Sequence, residues 1–214
     1  MKDVDIFLAS PAITPSIRGV KDALNTHFYT PEIHNSDQYN APDKYAPPFE
    51  IASVLLALWN SPENGIQVLL TQRADHLRNH PGQISFPGGK MDQCDDNIIQ
   101  TALRETEEEV GLKAVNLNIL GQLGDYFTTS GFCVSPVVAE VTKLTPMMIC
   151  YDEVESAHWV PLNYLLDPKN FEFKQKVIEN THRTFFEIRY QDLHIWGVTA
   201  GIFYGLYKTL TTTP

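Results

Sequence analysis

LLTQRADHLRNHPGQISFPGGKMDQCDDNIIQTALRETEEEVGL, from Leu69 to Leu112, is the stretch whose reading decides the fold of this chain. It closes on Arg104-Glu105-Thr106-Glu107-Glu108-Glu109-Val110-Gly111. At roughly 100° per residue this spacing predicts a helix with Glu105, Glu108 and Glu109 in one sector. Ile99, Leu103, Thr106 and Val110 fall opposite, on a mainly apolar side that can pack on a core. Asp95 or Asp96 is the expected N-cap, and Gly111 stands where a helix stops.

A run of acids ordinarily does no more than solvate a helix face. Such a face mixes charge signs, whereas Glu105 and Glu109 are a like pair that repel by ~0.2–0.5 kcal/mol. Arg104 and Glu108 form the one favourable i,i+4 pair nearby. Carboxylate oxygens gathered in this way suit a hard divalent cation, Mg²⁺ or Mn²⁺. Upstream, Phe86-Pro87-Gly88-Gly89 reads as a strand end and a glycine turn that brings a main-chain carbonyl towards the same ion.

Gly89 to Leu112 resembles a Nudix box, whose tail is Arg-Glu-x-x-Glu-Glu-x-Gly. The preceding Leu69-Leu70-Thr71-x-Arg73-Ala74-x-x-x-Arg78-x-x-x-Gly82-x-x-x-Phe86-Pro87-Gly88-Gly89 is similar to the second signature of the coenzyme A pyrophosphatase branch of the Nudix hydrolases. Two features depart from the general box. Asp95 replaces its mid-box glutamate, and the gap from there to Arg104 is longer by a residue; the coenzyme A branch accommodates both. Likenesses continue in Thr129-x-Gly131-Phe132-x-Val134-x-Pro136-Val137-Val138, in Asp152-Glu153-Val154-Glu155 and in Ile195-Trp196-Gly197-x-Thr199-Ala200.

The order of elements alone defines only a mixed α and β class, since strands and helices do not alternate regularly. The resemblance implies more: an α/β/α Nudix sandwich with a mixed sheet between helices. It also implies metal-dependent hydrolysis of the pyrophosphate bond of coenzyme A or acyl-CoA, giving 3′,5′-ADP and (acyl-)4′-phosphopantetheine. On this reading Glu105, Glu109, Glu108 and the Gly89 carbonyl hold Mg²⁺ or Mn²⁺. Glu105, Glu108, Arg104 and Glu153 are the expected catalytic residues, and Arg73, Arg78, Gly82, Phe86 and Lys90 are expected to meet the substrate. The rival readings are a Nudix hydrolase of ADP-ribose, NADH or oxidised nucleotides, and a nucleotide-binding module without catalysis. Retention of Arg104, Glu105, Glu108 and Glu109 weighs against the second.

With 214 residues, 43% hydrophobic and 20% charged, the chain has the make-up of one soluble domain with a short extension. A formal charge of −10 argues against nucleic-acid or anionic-membrane partners, which need a basic footprint. A polyphosphate substrate would then depend on local cations: Arg73, Arg78, Lys90, Arg104 and the metal. Cys94, Cys133 and Cys150 have no paired spacing and read as reduced thiols. The N-terminus shows no secretory leader, and no apolar run reaches the ~18 residues of a membrane helix. A cytoplasmic enzyme is expected, with a second copy of the chain as a candidate partner.

Residues 1–48 read as an N-terminal extension, and 49–214 as the hydrolase domain. In the extension, Ser16–Phe28 is a short helix with Ile17, Val20, Leu24 and Phe28 on one face, and Pro31–Pro48 is a loop. Ile51–Trp59 and Ile66–Thr71 form a predicted hairpin around Ser61–Gly65, and Arg73–Gln83 is a loop carrying Arg73, His76, Arg78 and His80. Val115–Leu123, Cys133–Val141 and Ala157–Val160 are predicted strands, and Pro161–Leu166 is a short helix. Asp125–Phe132 is an aromatic, hydroxyl-rich loop that either packs inward or meets an adenine or pantetheine group. Phe171–Lys174 pairs with Arg183–Tyr190, and an apolar helix from Trp196 to Leu210 closes the chain.

Overall fold

Alternation in Ile51–Trp59 sends Leu55, Ala57 and Trp59 to one face of a strand, and Leu56 and Leu58 to the other. Both faces must therefore be covered, and helices cover both. The computed structural model describes residues 2–26, 48–128, 130–178 and 181–212. Its central strand, β1 (Glu50–Ser61), pairs antiparallel with β2 (Gly65–Arg73), forming the expected hairpin. On its other edge β1 runs parallel to β7 (Phe132–Val141), from Glu50↔Phe132 to Leu58↔Glu140. Beyond β7 lie β5 (Leu117–Gln122) and β6 (Tyr126–Phe127); beyond β2 lies β8 (Val154–Pro161).

The functional stretch enters where β1 and β2 part company. Past Leu58↔Val68 the two strands diverge. In the gap β3 (Ile84–Ser85) pairs with β2 and β4 (Gly88–Lys90) pairs with β1. The Leu55 N–H donates to the Pro87 carbonyl at 2.9 Å, so the turn between these short strands is held in the sheet. Eight strands thus form one mixed sheet.

On one face, Leu55, Ala57, Leu69, Val137, Ala139 and Val141 pack under α3 (Ile98–Val110). The other face belongs to a larger cluster covered by α1 (Lys2–Leu8), α2 (Ile17–Thr26) and α5 (Val198–Thr211). This is the expected mixed sheet between helices, with an addition. A second, three-stranded antiparallel sheet is built from β9 (Phe171–Ile178), β10 (Thr181–Tyr190) and β11 (Leu193–Trp196). It follows α4 (Leu162–Leu165), and it buries Phe171 and Phe186 against Phe7 and Tyr204.

Two local expectations are corrected. Trp196 belongs to β11, paired with Glu187, and the closing helix starts only after Gly197, whose φ of 63° no β-branched residue adopts readily. Val115 lies in a 3₁₀ turn, 84% exposed, and β5 starts at Leu117. The extension carries a further helix, α1, whose Val4 and Phe7 are buried with Val20 and Leu24 of α2. Phe28, most of the Pro31–Pro48 loop and Thr129 lie outside the described residues.

Candidate metal centre and active site

The N-cap of α3 is Asn97, one residue past the expected pair: its Oδ1 accepts from Ile99 N at 3.0 Å and Gln100 N at 3.1 Å. Gly111 ends the helix as expected, in the left-handed region at φ 71°, with its N–H on the Glu107 carbonyl. A Cβ at Gly111 would also lie 2.9 Å from Met148 Cβ. That contact matters because residues 148–153 continue the cap: Met148 N donates to Val110 O and Cys150 N to Glu109 O. Val154 then begins β8.

The glycine turn lies directly against the acids. A Cβ on Gly89 would stand 2.5 Å from the Glu105 carboxyl carbon, and one on Gly88 would meet Ser53 O at 2.4 Å. Only a residue without a side chain lets β4 pass between β1 and Glu105. Glu109 comes from the next turn of α3 and is buried, 4% exposed, with a backbone hydrogen bond from Gly88. It sits at the border of the packed side, so the three helical acids are not all on an open face.

One ligand oxygen each from Glu105, Glu109 and Glu153 lies within 4.8 Å of the others. Glu108, expected with them, is outside this group. Its carboxylate, 59% exposed, is held by Arg104 Nη1 at 2.9 Å. The third acid is Glu153, anchored by its backbone: its N–H donates to Cys150 O, and its carbonyl accepts from Ala74 N at 2.9 Å. His76 Nε2 lies 3.1 Å from the Asp152 carbonyl and ties the same two loops.

Arg104 organises the acids. It makes a bidentate pair with Asp95, Nε to Oδ1 at 2.9 Å and Nη2 to Oδ2 at 2.8 Å. It also reaches Glu105 Oε1 at 3.0 Å and the Lys90 carbonyl at 3.2 Å. Asp95 is therefore no helix cap. Nearly buried, it also accepts from Thr101 Oγ1 and Asp92 N, and Arg104 holds its carboxyl well below the usual carboxylate range. The sequence signal for this was there: an acid in the mid-box position, at a distance from Arg104 set by one extra residue.

Electrostatically the acids are left short of positive charge. Burial, then the carboxylates of Glu105 and Glu153, push Glu109 up to about 8, against Arg73 and the Gly88 N–H. Burial also raises Glu105, although Arg104 opposes it. Glu109 Oε2 and Arg73 Nε are both buried without a hydrogen-bond partner among the described residues. An orphaned buried carboxylate oxygen costs on the order of 1–3 kcal/mol. An all-oxygen donor set of this kind, two of its acids helical and one on a tethered loop, fits a hard divalent cation.

The expected substrate residues divide. Arg73, at a register shift of β2 against β8, directs its charge towards Glu109. Arg78 is exposed on the loop, and Lys90 is paired with Glu50 at 2.6 Å. Gly82, at φ 66°, supplies a turn whose N–H donates to Arg73 O, so it shapes the loop carrying Arg73. Phe86, expected to meet the substrate, is 2% exposed, and its ring packs on Phe203 at 4.9 Å, so it anchors the turn from the core side.

With this geometry in place, the comparisons are unambiguous about class. Residues 50–181 match the family model for the NUDIX domain. The chain is 38% identical over 151 residues to the uncharacterized Nudix hydrolase NudL of Yersinia pestis (strain Pestoides F), covering 71% of this chain and 75% of that protein. The NudL of Yersinia pseudotuberculosis serotype O:3 (strain YPIII) matches equally. Among solved structures, a Nudix hydrolase from M. smegmatis, RenU, aligns with TM-score 0.46 and 23% identity, over 53% of this chain and 71% of that one. The MutT protein of Methanosarcina mazei Go1 aligns with TM-score 0.44 and 27% identity, over 56% and 81%. The chain belongs to the Nudix hydrolase family, whose reaction is the hydrolysis of a pyrophosphate linkage.

Proposed function

We propose that this protein hydrolyses the pyrophosphate bond of coenzyme A or an acyl-CoA, releasing 3′,5′-ADP and (acyl-)4′-phosphopantetheine. What supports the reading is a convergence: the complete stretch from Leu69 to Gly89 delivers Arg73 beside a cluster of three acids, one with an unpartnered buried oxygen. Glu105, Glu109 and Glu153, with the carbonyl of Gly89, whose main chain packs against Glu105, are the groups proposed to hold Mg²⁺ or Mn²⁺. When bound, such ions neutralise charge developing on the phosphate oxygens and orient the attacking water.

The chain's own residues do the rest. Arg104, locked by Asp95, fixes the carboxylate of Glu105 and keeps Glu108 at hand at the rim. Arg73 offers its buried Nε–H and positive charge to a phosphate oxygen, which suits a guanidinium better than an ammonium. Glu105 and Glu109 act on each other through their charges, so proton acceptance from water belongs to the pair. No helix among the described residues is long and apolar enough to cross a membrane, and the three cysteines are free thiols, in keeping with a proposed cytoplasmic setting.

The experiment is a panel: purified protein with Mg²⁺ or Mn²⁺, offered coenzyme A, acetyl-CoA, ADP-ribose, NADH and 8-oxo-dGTP. Coenzyme A or acetyl-CoA is expected to give the highest kcat/KM, with 3′,5′-ADP as product. Higher kcat/KM on ADP-ribose or NADH defeats the substrate assignment and leaves the reaction class standing.

A further inference from the structure

The rows of side chains on the α3 side of the large sheet lead away from the acids to an unassigned surface. Gly89 and Ser53 are register partners, as are Ser53 and Ser135, and Glu105 lies over Gly89. One two-residue repeat further, about 6.6 Å along the strands, the next row on this face holds Ile51, Cys133 and Phe127. Ile51 is 39% exposed there, and the half-buried Phe127 ring stands 5.0 Å from that of Phe49. Asp125 flanks the row. Its Oδ1 accepts from Ser135 Oγ at 2.6 Å, and its charge, after burial, helps to raise the Cys133 thiol. This anchor from β7 holds the partly exposed carboxylate in place, leaving acceptor capacity for a further donor.

We propose that this row seats the purine base of the substrate: an adenine ring laid against Phe127 and Ile51, its exocyclic amine donating to Asp125. The inference rests on reading the acids as the pyrophosphate-cleaving centre. The base of a nucleotide is joined to its phosphates through one sugar, so a phosphate near Gly89 sets the base a short step along the sheet, where an apolar, aromatic row lies open. A carboxylate can only accept, so it favours a ring edge that presents an amino group over one that presents a carbonyl, and it repels phosphate. The row therefore suits the base and excludes the charged end of the ligand.

Equilibrium binding tests the assignment with ligands that have no bond to cleave. Titration calorimetry of the full chain with Mg²⁺ would compare 5′-AMP, 5′-IMP and 4′-phosphopantetheine. AMP should bind about tenfold or more tighter than IMP, the difference a hydrogen bond to a charged acceptor produces. Asp125→Asn retains the Ser135 bond and turns an amide N–H₂ outward, so the preference should reverse towards the carbonyl of IMP. Phe127→Ala should weaken AMP and IMP alike by about tenfold, as lost stacking does, and leave phosphopantetheine unchanged. Equal affinity for AMP and IMP in the unmodified protein overturns the proposal, as does an unaltered preference in Asp125→Asn. Weakened phosphopantetheine binding in Phe127→Ala would assign the row to the other half of the substrate and overturn it too. Should Phe127→Ala not fold, the Asp125→Asn comparison decides alone. Because these ligands are bound and not cleaved, a panel in which coenzyme A is a poor substrate leaves this readout intact.

Discussion

The two faces of the large sheet are packed on opposite terms. Away from α3, Phe7 lies edge-on to Phe171, Phe186, Tyr204 and Tyr207, with ring centroids 4.6–5.7 Å apart, inside the larger apolar cluster. Under α3 the cluster is smaller, and its border holds Glu109, Asp95 and Thr101. One face is dispersion and burial; the other keeps like charges together and leaves Glu109 Oε2 unpartnered. Such a site persists only where the surrounding structure over-determines it, and here the opposite face supplies the margin. The comparison teaches that stability and chemistry are carried by different sides of the same strands, with alternate residues of β1 serving each.

Substitutions on each face should therefore separate activity from stability. The largest effect is expected for Glu105→Gln and Glu109→Gln, which should each lower kcat/KM by about a thousandfold, or ~4 kcal/mol. Thermal unfolding should show both variants folded, and metal-free Glu109→Gln at least as stable as the parent at pH 8. Near-parental activity in both would remove the acids from the reaction and dissolve the contrast. Next, Phe7→Ala should destabilise by ~3 kcal/mol or more through the cavity it leaves. Below its lowered Tm its KM and metal requirement should be unchanged, and a changed metal requirement would show the two faces to be coupled.

The smallest effect is a pH dependence confined to the charged face. Glu109 is raised in the folded chain from 4.5 to about 8, so the stability it contributes is full below pH 4.5 and is lost as pH climbs through 8. Without metal, stability should fall over that window. Glu109→Gln should flatten the slope, and Mn²⁺ should stabilise more at pH 8 than at pH 6, since it must displace the proton. A metal-free unfolding midpoint unchanged between pH 5 and pH 8 would show that Glu109 is not held protonated.

Several parts of this arrangement were legible in the chain and others were not, for identifiable reasons. The β1–β2 hairpin, helix α3 and its stop at Gly111 follow from local pattern and turn chemistry, which do not depend on distant contacts. Helix α1 did not, because seven residues carry little periodic signal; Phe7 has its place only once β9, β10 and α5 surround it. Trp196 continued a helical stripe in sequence, yet pairing with Glu187 drew it into a strand. Phe86 sits within a functional motif and turned out to be core. Asp95 was legible as an acid near a helix start, but helix caps and ion pairs look alike until the position of Arg104 is known.

By itself the sequence set Glu105 and Glu109 a turn apart through helical spacing and supplied the paired glycines that admit a strand against them, both consequences of backbone geometry within a few residues. Only the tertiary structure decided that Glu108 stands apart from them and that Glu153 comes within 4.8 Å. It did so because Arg104 captures the one, while hydrogen bonds from Ala74 and to Cys150 hold the other in place. Burial, too, was settled only there: how far a carboxylate is removed from water depends on the strands and loops packed over it, which neighbours along the chain do not specify.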